Sequence, residues 1–372
     1  MENTYRVNQL RLIDFKNYSN LEIQFDKAIT GFCGHNGAGK TNLLDAIYYL
    51  CTTKSYFSSS EQYNFRQSTS GTSLHAEFVK GDRAYEVHIK AQKGQKKEIT
   101  VNRIKENSSA EYVGKFPVVM IAPNDNMIIL GGSDERRKLI DNILCQSDYR
   151  YTELLMQYNK VLANRNALLK QMVETKFSQE ELLDTLDRIL SDFGEQIFVR
   201  RCAFFKDFSE EFEKLYQELS SNQELVSMEY KSHLLNGHLY TQLVNNRERD
   251  IILQRTTAGV HLDDIILNLN QQPVKKVGSQ GQQKSFLVAM KLALYFLLSK
   301  YKGFLPILLL DDIFDKFDEL RVGQLFSIIH KSQIGQVFVT HTDVDKMKKS
   351  LLQSGNDFDI FKIKESHVIE RI

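Results

Sequence analysis

Gly34-His35-Asn36-Gly37-Ala38-Gly39-Lys40-Thr41 is the stretch of this 372-residue chain that decides its fold. The apolar residues 29–33 before it predict a strand, and residues 42–47 after it predict a helix, which is the context that a phosphate-binding loop requires. Glycines let backbone N–H groups approach phosphate oxygens, and the start of the helix favours an anion. The stretch therefore predicts an ATP-binding site.

Within this loop, two side chains have specific chemistry. Lys40 is expected to reach the β- and γ-phosphates and to assist catalysis, and Thr41 is expected to coordinate Mg²⁺. The rest of the loop, together with Asn42 in the first turn of the helix, is expected to bind ATP.

A second motif, Ile307-Leu308-Leu309-Leu310-Asp311-Asp312, is an apolar strand that ends in two acids. Asp311 is suited to bind Mg²⁺ together with Thr41, and Asp312 is suited to polarise the attacking water. A strand that ends in a solvated polar turn is the alternative. The phosphate loop elsewhere in the chain favours the functional interpretation.

Two further segments are candidates for contact with a γ-phosphate. Ser279-Gln280-Gly281-Gln282 lies at the start of an amphipathic helix predicted over 279–300. Ser279 either caps that helix or, with the Gly281 backbone, contacts the phosphate, and both roles stay open. His341 follows an apolar strand, where it is either a structural histidine or a γ-phosphate sensor that takes part in catalysis.

The pattern of the chain predicts an α/β protein in which one nucleotide-binding domain is split by an insertion. Short apolar strands alternate with helices in residues 1–123 and 273–372, whereas residues 124–272 contain no proline and have mainly helical periodicity. The C-terminal part of the insertion is a candidate to return to the first domain. Residues 10–13, 21–25, 28–33, 74–79, 85–89 and 99–103 are predicted strands, and Gly81-Asp82 a turn.

Composition narrows the class of protein. The net charge is only +1, so any nucleic acid must be bound by local basic patches. The four cysteines have no Cys-x-x-Cys spacing, which argues against a zinc site. The start of the chain lacks a signal-peptide pattern, and no apolar run is long enough to span a bilayer. We therefore expect a cytoplasmic protein.

The order of these motifs resembles the ABC-type ATPases, and the long gap between Thr41 and Ser279 resembles their SMC and RecF branch. The resemblance to RecF proteins covers nearly the whole chain. It rests on Leu12-Ile13-Asp14-Phe15-Lys16-Asn17-Tyr18, Ala122-Pro123-Asn124-Asp125, residues 131–141, Tyr158-Asn159-Lys160-Val161-Leu162-Ala163-Asn164-Arg165-Asn166 and Leu309-Leu310-Asp311-Asp312-Ile313-Phe314-Asp315-Lys316-Phe317-Asp318. Gly259-Val260-His261-Leu262-Asp263-Asp264 departs from the family pattern at its second and fourth positions.

The resemblance implies an ABC-type ATPase head with mixed sheets and an inserted helical domain. It further implies a repair protein that binds double-stranded DNA near single-strand gaps and acts with RecR and RecO to help load RecA. Ser279 would complete the ATP site of a second copy, so ATP would hold a homodimer together. The short side chain of Asp312 predicts slow hydrolysis, and the resemblance implies that any ATPase activity is weak and DNA-stimulated.

Three basic clusters are candidates for contact with DNA phosphates, although each is also consistent with a solvated surface. They are Lys93, Lys96, Lys97, Arg103 and Lys105; Arg136, Arg137 and Lys138; and Arg200 and Arg201.

Three rival classes fit the sequence less well. A chromosome-organising SMC protein needs a longer helical arm, and a zinc-hook Cys-x-x-Cys is absent. The ATPase subunit of a membrane transporter joins the same motifs through a far shorter segment. A nuclease-linked ATPase needs a further domain after the ATPase motifs.

Overall fold

The computed structural model describes residues 5–177, 179–220, 224–313, 319–332, 334–353, 355 and 357–372. The predicted segment Phe314-Asp315-Lys316-Phe317-Asp318 lies outside the described residues. The chain divides into two compact units. The first consists of the described residues of 1–126, 215–223 and 279–372, and the second of those of 127–214 and 224–278.

The strands of the two units form three sheets. Their bounds are β1 Tyr5–Phe15, β2 Tyr18–Gln24, β3 Ile29–Cys33, β4 Gly71–Lys80, β5 Arg83–Gln92, β6 Glu98–Val101, β7 Ile104–Lys105, β8 Val118–Ile121, β9 Val226–Lys231, β10 Asp264–Leu269, β11 Gln272–Pro273, β12 Ile307–Leu310, β13 Val337–His341, β14 Phe358–Lys364 and β15 His367–Arg371.

Helices lie between these strands in the described part of the chain. Their bounds are α1 Lys40–Thr52, α2 Ser109–Tyr112, α3 Asn126–Leu130, α4 Ser133–Ser147, α5 Tyr149–Thr175, α6 Glu180–Ser220, α7 Leu239–Asn245, α8 Arg247–Leu253, α9 Val274–Val277, α10 Gln280–Lys302, α11 Glu319–Lys331 and α12 Val344–Gln353.

The first unit contains a mixed sheet of order β15-β14-β3-β13-β12-β8, in which all neighbours except the β14–β15 pair are parallel. Every residue of β3, β8, β12 and β13 is buried, as expected for parallel strands covered on both faces. Because these strands are parallel, their carboxyl ends all lie at one edge of the sheet, where ligands usually bind in α/β proteins.

A second sheet of the first unit is antiparallel, with the order β2-β1-β4-β5-β6-β7. Burial alternates along β4, as the period-two pattern requires for a sheet with one face on the core. The turn at residues 81 and 82 joins β4 to β5, because Lys80 pairs with Arg83. The strands predicted at 10–13, 74–79 and 85–89 are confirmed here. The strand predicted over 99–103 was partly wrong, because β6 ends at Val101 and residues 102 and 103 form a turn with positive φ angles.

The second unit combines helices with a three-stranded antiparallel sheet of order β11-β10-β9. The helical periodicity of 124–272 did not reveal this sheet, because its strands are short and two of them have few buried positions. In α6, Leu182 and Ile189 are exposed, whereas Leu183 and the charged Asp187 are buried.

Asp187 is buried because it takes part in an ionic cluster. The Arg165 side chain of α5 is fully buried and donates from Nε to Asp187 Oδ1 at 2.6 Å. It also donates from Nη1 to Asp250 Oδ2 at 2.7 Å and to Thr256 Oγ1 at 2.9 Å. The neighbouring Asn166 Oδ1 accepts from the Thr256 backbone N–H at 2.8 Å. The Arg-Asn pair of the resemblance motif therefore holds α5, α6, α8 and the loop after α8 together.

Residues 259–264, which depart from the family pattern, make a second set of tertiary contacts in the same unit. Gly259 has φ 134°, and a Cβ there would lie 2.5 Å from Tyr158 Oη, so both conformation and space require glycine. His261 Nε2 lies 3.2 Å from the Thr256 carbonyl oxygen, and Nδ1 lies 2.7 Å from Tyr158 Oη. Because a carbonyl only accepts, Nε2 carries the proton, and Tyr158 donates to Nδ1.

Several arginines that the sequence placed in DNA-binding patches are internal, which corrects that expectation. Arg201 is buried and pairs with Asp141 at 3.0 Å and with Asp263 at 2.8 Å. Arg136 pairs with Asp264 at 2.6 Å, and its side chain is 11% exposed. Arg137 donates to the Asp263 carbonyl oxygen at 2.7 Å. The Arg201 and Arg136 guanidinium groups are paired with carboxylates and that of Arg137 with a backbone carbonyl oxygen, so all three are less available to a surface ligand.

Replacing Arg165 tests the ionic cluster. We expect Arg165→Met to lower the free energy of unfolding by about 3–5 kcal/mol, because two buried carboxylates lose their counter-charge. Arg188→Met is the matched control, since the Arg188 side chain is 64% exposed beside Asp184 and its loss should cost much less than the loss of Arg165. Urea unfolding followed by circular dichroism measures both. Equal costs would contradict this account of the cluster.

Burial lowers the pKa of His261 to about 4, which predicts a pH dependence of stability. Between about pH 6.5 and 4 the unfolded histidine binds a proton and the folded one does not, so stability falls as the pH falls through this range. We expect the stability of His261→Gln to fall less steeply over this pH range. Its amide can both accept from Tyr158 and donate to Thr256. Parallel stability curves for the two proteins would refute this.

Candidate functional site

The carboxyl edge of the parallel sheet brings together the predicted motifs of the first unit. Cys33, Leu310 and His341 are the last residues of β3, β12 and β13, which are neighbours in the sheet. His341 pairs with Cys33 in the register. The phosphate loop, the two acids after β12 and the histidine of β13 therefore start from adjacent strand ends.

The phosphate loop is closely packed at its base. Gly39 has φ 111°, and a Cβ on it would lie 2.7 Å from Tyr18 Oη and 2.8 Å from Asn17 Nδ2, so only glycine fits. Lys40 Nζ donates to the carbonyl oxygens of Gly34 at 2.7 Å and His35 at 3.0 Å. Its ammonium group thus lies across the loop, where a phosphate held by the loop N–H groups would meet it.

Asp311 is the centre of the site. Its carboxylate accepts hydrogen bonds from Thr41 Oγ1 at 2.9 Å and from Thr340 Oγ1 at 2.8 Å. Burial raises the pKa of Asp311, and the two hydroxyl donors oppose that shift. One carboxylate thereby joins the start of α1 to the end of β13.

The donor set around Asp311 fits Mg²⁺. Adjacent oxygen ligands of an octahedral Mg²⁺ ion lie about 2.9 Å apart, given metal–oxygen distances of 2.0–2.1 Å. The 2.9 Å between Thr41 Oγ1 and Asp311 Oδ1 matches this spacing. Within the described residues, no group of three or more His, Cys, Asp or Glu side chains could hold a metal ion. Mg²⁺ usually takes few protein ligands and completes its shell with phosphate and water.

Asp312 and His341 lie beside this cluster. The Asp312 backbone N–H donates to Thr340 Oγ1 at 2.9 Å, and the residue has φ 49°, a left-handed conformation that aspartate tolerates better than most residues. His341 is 1% exposed, and its carbonyl oxygen accepts from Gly34 N–H at 3.3 Å. Both candidate catalytic side chains are therefore tied through their backbones to the residues that surround the phosphate loop.

Ser279-Gln280-Gly281-Gln282, here called the signature residues, form the start of the long helix α10. Ser279 Oγ accepts from Gln282 N–H at 3.2 Å, and Gln282 Oε1 accepts from Ser279 N–H at 2.7 Å. This is a capping box, so the structural role predicted for Ser279 is confirmed. Ser279 and Gln280 are exposed at the start of the helix. A cap of this kind leaves the helix N-terminus accessible to an anion from outside.

A buried polar network around Lys291 was missed by the sequence analysis. Lys291 Nζ of α10 donates to Tyr56 Oη at 2.7 Å and pairs with Asp125 Oδ1 at 3.1 Å. The Tyr56 backbone N–H donates to Asp45 Oδ1 of α1 at 2.7 Å, and Asp45 pairs with Lys16. The available signal was a lysine on the apolar face of a predicted helix, because such a lysine must find a buried counter-charge.

None of the described helices has the length and apolar content needed to cross a lipid bilayer.

Comparison with known proteins gives consistent matches over the full chain. A family model described as the RecF/RecN/SMC N terminal domain matches residues 6–354. The DNA replication and repair protein RecF of Flavobacterium johnsoniae is 38% identical over 357 residues, which cover 96% of this chain and 99% of that protein. RecF of Phocaeicola vulgatus is 36% identical over 366 residues, or 98% of each chain.

Solved structures match in the same way. A structure of the recombination mediator protein RecF with ATP, from the RecFOR pathway, superposes with a TM-score of 0.90 and 26% identity. The match covers 100% of this chain and 99% of that one. The Smc head domain of Pyrococcus furiosus has a TM-score of 0.54 and 17% identity over 97% of this chain and 94% of that one, which is a likeness of fold alone.

Replacing Asp311 tests the metal site. We expect Asp311→Asn to keep the melting temperature of the ligand-free protein, because an amide oxygen can still accept from both threonines and no charge is buried. The additional rise in melting temperature that Mg²⁺ gives with ATP should be lost. Asp312→Asn is the matched control and should keep that rise. An unchanged Mg²⁺ effect in the Asp311 variant would exclude Asp311 as a ligand.

Proposed function

The chain belongs to the RecF family of DNA replication and repair proteins, and from this membership we propose that it is an ATP-dependent DNA-binding protein of recombinational repair. The observation that carries the proposal is the cluster of Thr41, Asp311 and Thr340 beside the phosphate loop. Its buried carboxylate and hydroxyls form a donor set of the kind that Mg²⁺–nucleotide complexes use.

ATP binds at residues 34–42, with Lys40 neutralising the outer phosphates and Thr41 and Asp311 holding Mg²⁺. Bound Mg²⁺ supplies charge neutralisation at the β- and γ-phosphates. Asp312 orients the attacking water, and His341 contacts the γ-phosphate end of the site. The shorter reach of an aspartate at position 312 makes hydrolysis slow, so that nucleotide turnover sets the lifetime of the bound state.

The ATP site is completed by a second copy of the chain. Ser279 and Gln280 are exposed at the N-terminus of α10, so a partner's γ-phosphate can reach the Ser279 hydroxyl and the Gly281 backbone N–H. An anion is favoured there by the helix dipole. ATP thus joins two copies head to head, and each copy contributes one half of each site.

The dimer binds duplex DNA near single-strand gaps and, with RecR and RecO, helps load RecA. Of the basic residues suggested by the sequence, Lys93, Lys96 and Arg103 of the first unit are exposed. Lys97 is less suited to contact a DNA phosphate, because its ammonium group pairs with Glu61 at 2.7 Å. Contacts of exposed lysine and arginine with phosphates are independent of sequence and weaken with salt. The protein acts in the cytoplasm.

Mixing two inactive variants tests the shared site. Lys40→Ala removes the phosphate-loop cation, and Ser279→Asp keeps a helix cap but puts a negative charge against the partner's phosphate. We expect each variant alone to remain monomeric with ATP and Mg²⁺ in sedimentation and to lack ATPase activity. A mixture should regain part of the activity, since one of the two sites in a mixed dimer is intact.

Gapped duplex DNA provides the second readout of the same experiment. Wild-type protein should bind it in an ATP-dependent and salt-sensitive manner, and Lys40→Ala should not respond to ATP. A wild-type protein that stays monomeric with ATP, Mg²⁺ and gapped DNA together would contradict the dimer. ATP-independent binding of equal strength by Lys40→Ala would contradict the role of the nucleotide.

A further inference from the structure

The hairpin formed by β14 and β15 passes directly beside the phosphate loop. β14 pairs in parallel with β3, and the last pair in their register is Lys362 with Cys33. β3 ends at Cys33, whereas β14 continues to Lys364. The end of β14 therefore runs alongside the first residue of the phosphate loop.

Two backbone contacts join this hairpin to the loop. A Cβ on Gly34 would overlap the Ile363 carbonyl group, with only 3.2 Å to its carbon atom, so the first residue of the loop has no room for a side chain. The Ser366 N–H donates to the Ala38 carbonyl oxygen at 3.1 Å. Two positions of the loop, four residues apart, are thereby held against the same hairpin.

The bond to Ala38 fixes the direction of a donor that a phosphate needs. The carbonyl and N–H groups of one trans peptide unit point in opposite directions. Because the Ala38 carbonyl points at Ser366, the Gly39 N–H of the same peptide unit points away from the hairpin. The Gly39 carbonyl oxygen accepts from Tyr18 Oη at 3.2 Å, so the next peptide unit is also held. Successive backbone N–H groups held in this way form the anion-binding concavity of a phosphate loop.

The turn of the hairpin has a defined conformation. Lys364 pairs with His367, and the two residues between them have φ angles of 50° and 64°, the left-handed pair of a type I′ turn. Since a carbonyl group only accepts, His367 Nδ1 donates to the Glu365 carbonyl oxygen at 2.8 Å. The hydrogen bond that closes a β-turn joins its first and fourth residues. The Ser366 N–H, from the third, is therefore left for the loop.

The base of the hairpin is fixed within the first unit. Arg371 Nη2 pairs with Asp359 Oδ2 at 2.7 Å and with Asp26 Oδ2 at 2.5 Å. Ile360 and Ile372 exchange two backbone hydrogen bonds, of 2.8 and 2.9 Å. A hairpin held at its base presents its turn at a set position, so the phosphate loop rests on a support that belongs to the sheet.

We propose that Glu365 and Ser366 form a positioning turn for the phosphate loop, through which the Ser366 N–H raises the affinity for ATP without touching the nucleotide. The turn keeps the Gly39 N–H directed at the bound phosphate, so less conformational freedom is lost on binding. This inference rests on the proposed binding of ATP at residues 34–42. The effect is reciprocal, since a bound phosphate must then stabilise the turn.

Replacing Ser366 tests the positioning turn by calorimetry on the full chain with Mg²⁺. Ser366→Pro removes the N–H and cannot adopt the left-handed φ. We expect its Kd for ATP to rise at least about fivefold, as loss of one hydrogen bond does. Its Kd for inorganic triphosphate should rise by the same factor, because the turn acts on the phosphate loop alone. Ser366→Gly keeps the N–H and suits the φ, so it should bind both probes like the wild-type protein.

Gln271→Pro is the matched control. Asn270 and Gln271 have φ angles of 48° and 65° between the paired residues Leu269 and Gln272. The proline therefore disrupts the same position of the same kind of turn, but in the second unit, and it should change neither Kd. An unchanged ATP Kd in Ser366→Pro, or an equal rise in Gln271→Pro, would overturn the proposal.

Hydrogen exchange of the wild-type protein gives a second test, which does not depend on the folding of a variant. With saturating ATP and Mg²⁺, the Ser366 amide should exchange more slowly by the same factor of about five, as reciprocity requires, and the Gln271 amide should not change. Equal exchange of Ser366 with and without ATP would contradict the positioning role. Failure of the proposed function is distinguishable, because Lys40→Ala would then bind ATP and triphosphate as well as the wild-type protein does.

Discussion

The site of the first unit depends on the hydrogen bonds that the Asp311 carboxylate accepts. It is a buried acid that accepts from Thr41 in α1 and Thr340 in β13, and so it ties two elements to the strand that carries it. The arrangement has a cost, because burial disfavours the charged form of Asp311. A divalent cation at these oxygens would remove that cost. The burial of Asp311 that positions the site therefore also makes the binding of a cation there favourable.

Charged residues in the apolar interior have a related role elsewhere in the protein. Arg165 joins three helices of the second unit through Asp187 and Asp250. Lys291 joins α10 to Asp125 and Tyr56 in the first unit. A buried cation stabilises only the arrangement in which its particular carboxylates surround it, because any other leaves a charge unpaired. These residues specify how the helices pack more than they add to stability.

The Lys291 network also connects parts of the first unit that have different functions in the proposal. Through Tyr56 and Asp45 it extends from α10, which starts at the signature residues, to Lys16 in the turn between β1 and β2. Every link is a hydrogen bond or ion pair within one compact unit. The signature helix and the turn that carries Lys16 are therefore linked by one set of polar contacts.

The sequence by itself determined the features that depend on neighbouring residues. The phosphate loop, the turn at residues 81 and 82 and the cap at Ser279 follow from local patterns, since their hydrogen bonds span a few residues. The buried strands follow from their runs of apolar residues, although their hydrogen-bond partners are distant in sequence. Only the tertiary structure decided which charges are available to a ligand. Arg201 and Lys93 look alike in sequence, yet Arg201 pairs with buried Asp263, 62 positions away, whereas Lys93 is exposed. Such pairing depends on which distant elements the fold brings together, and no local pattern records it.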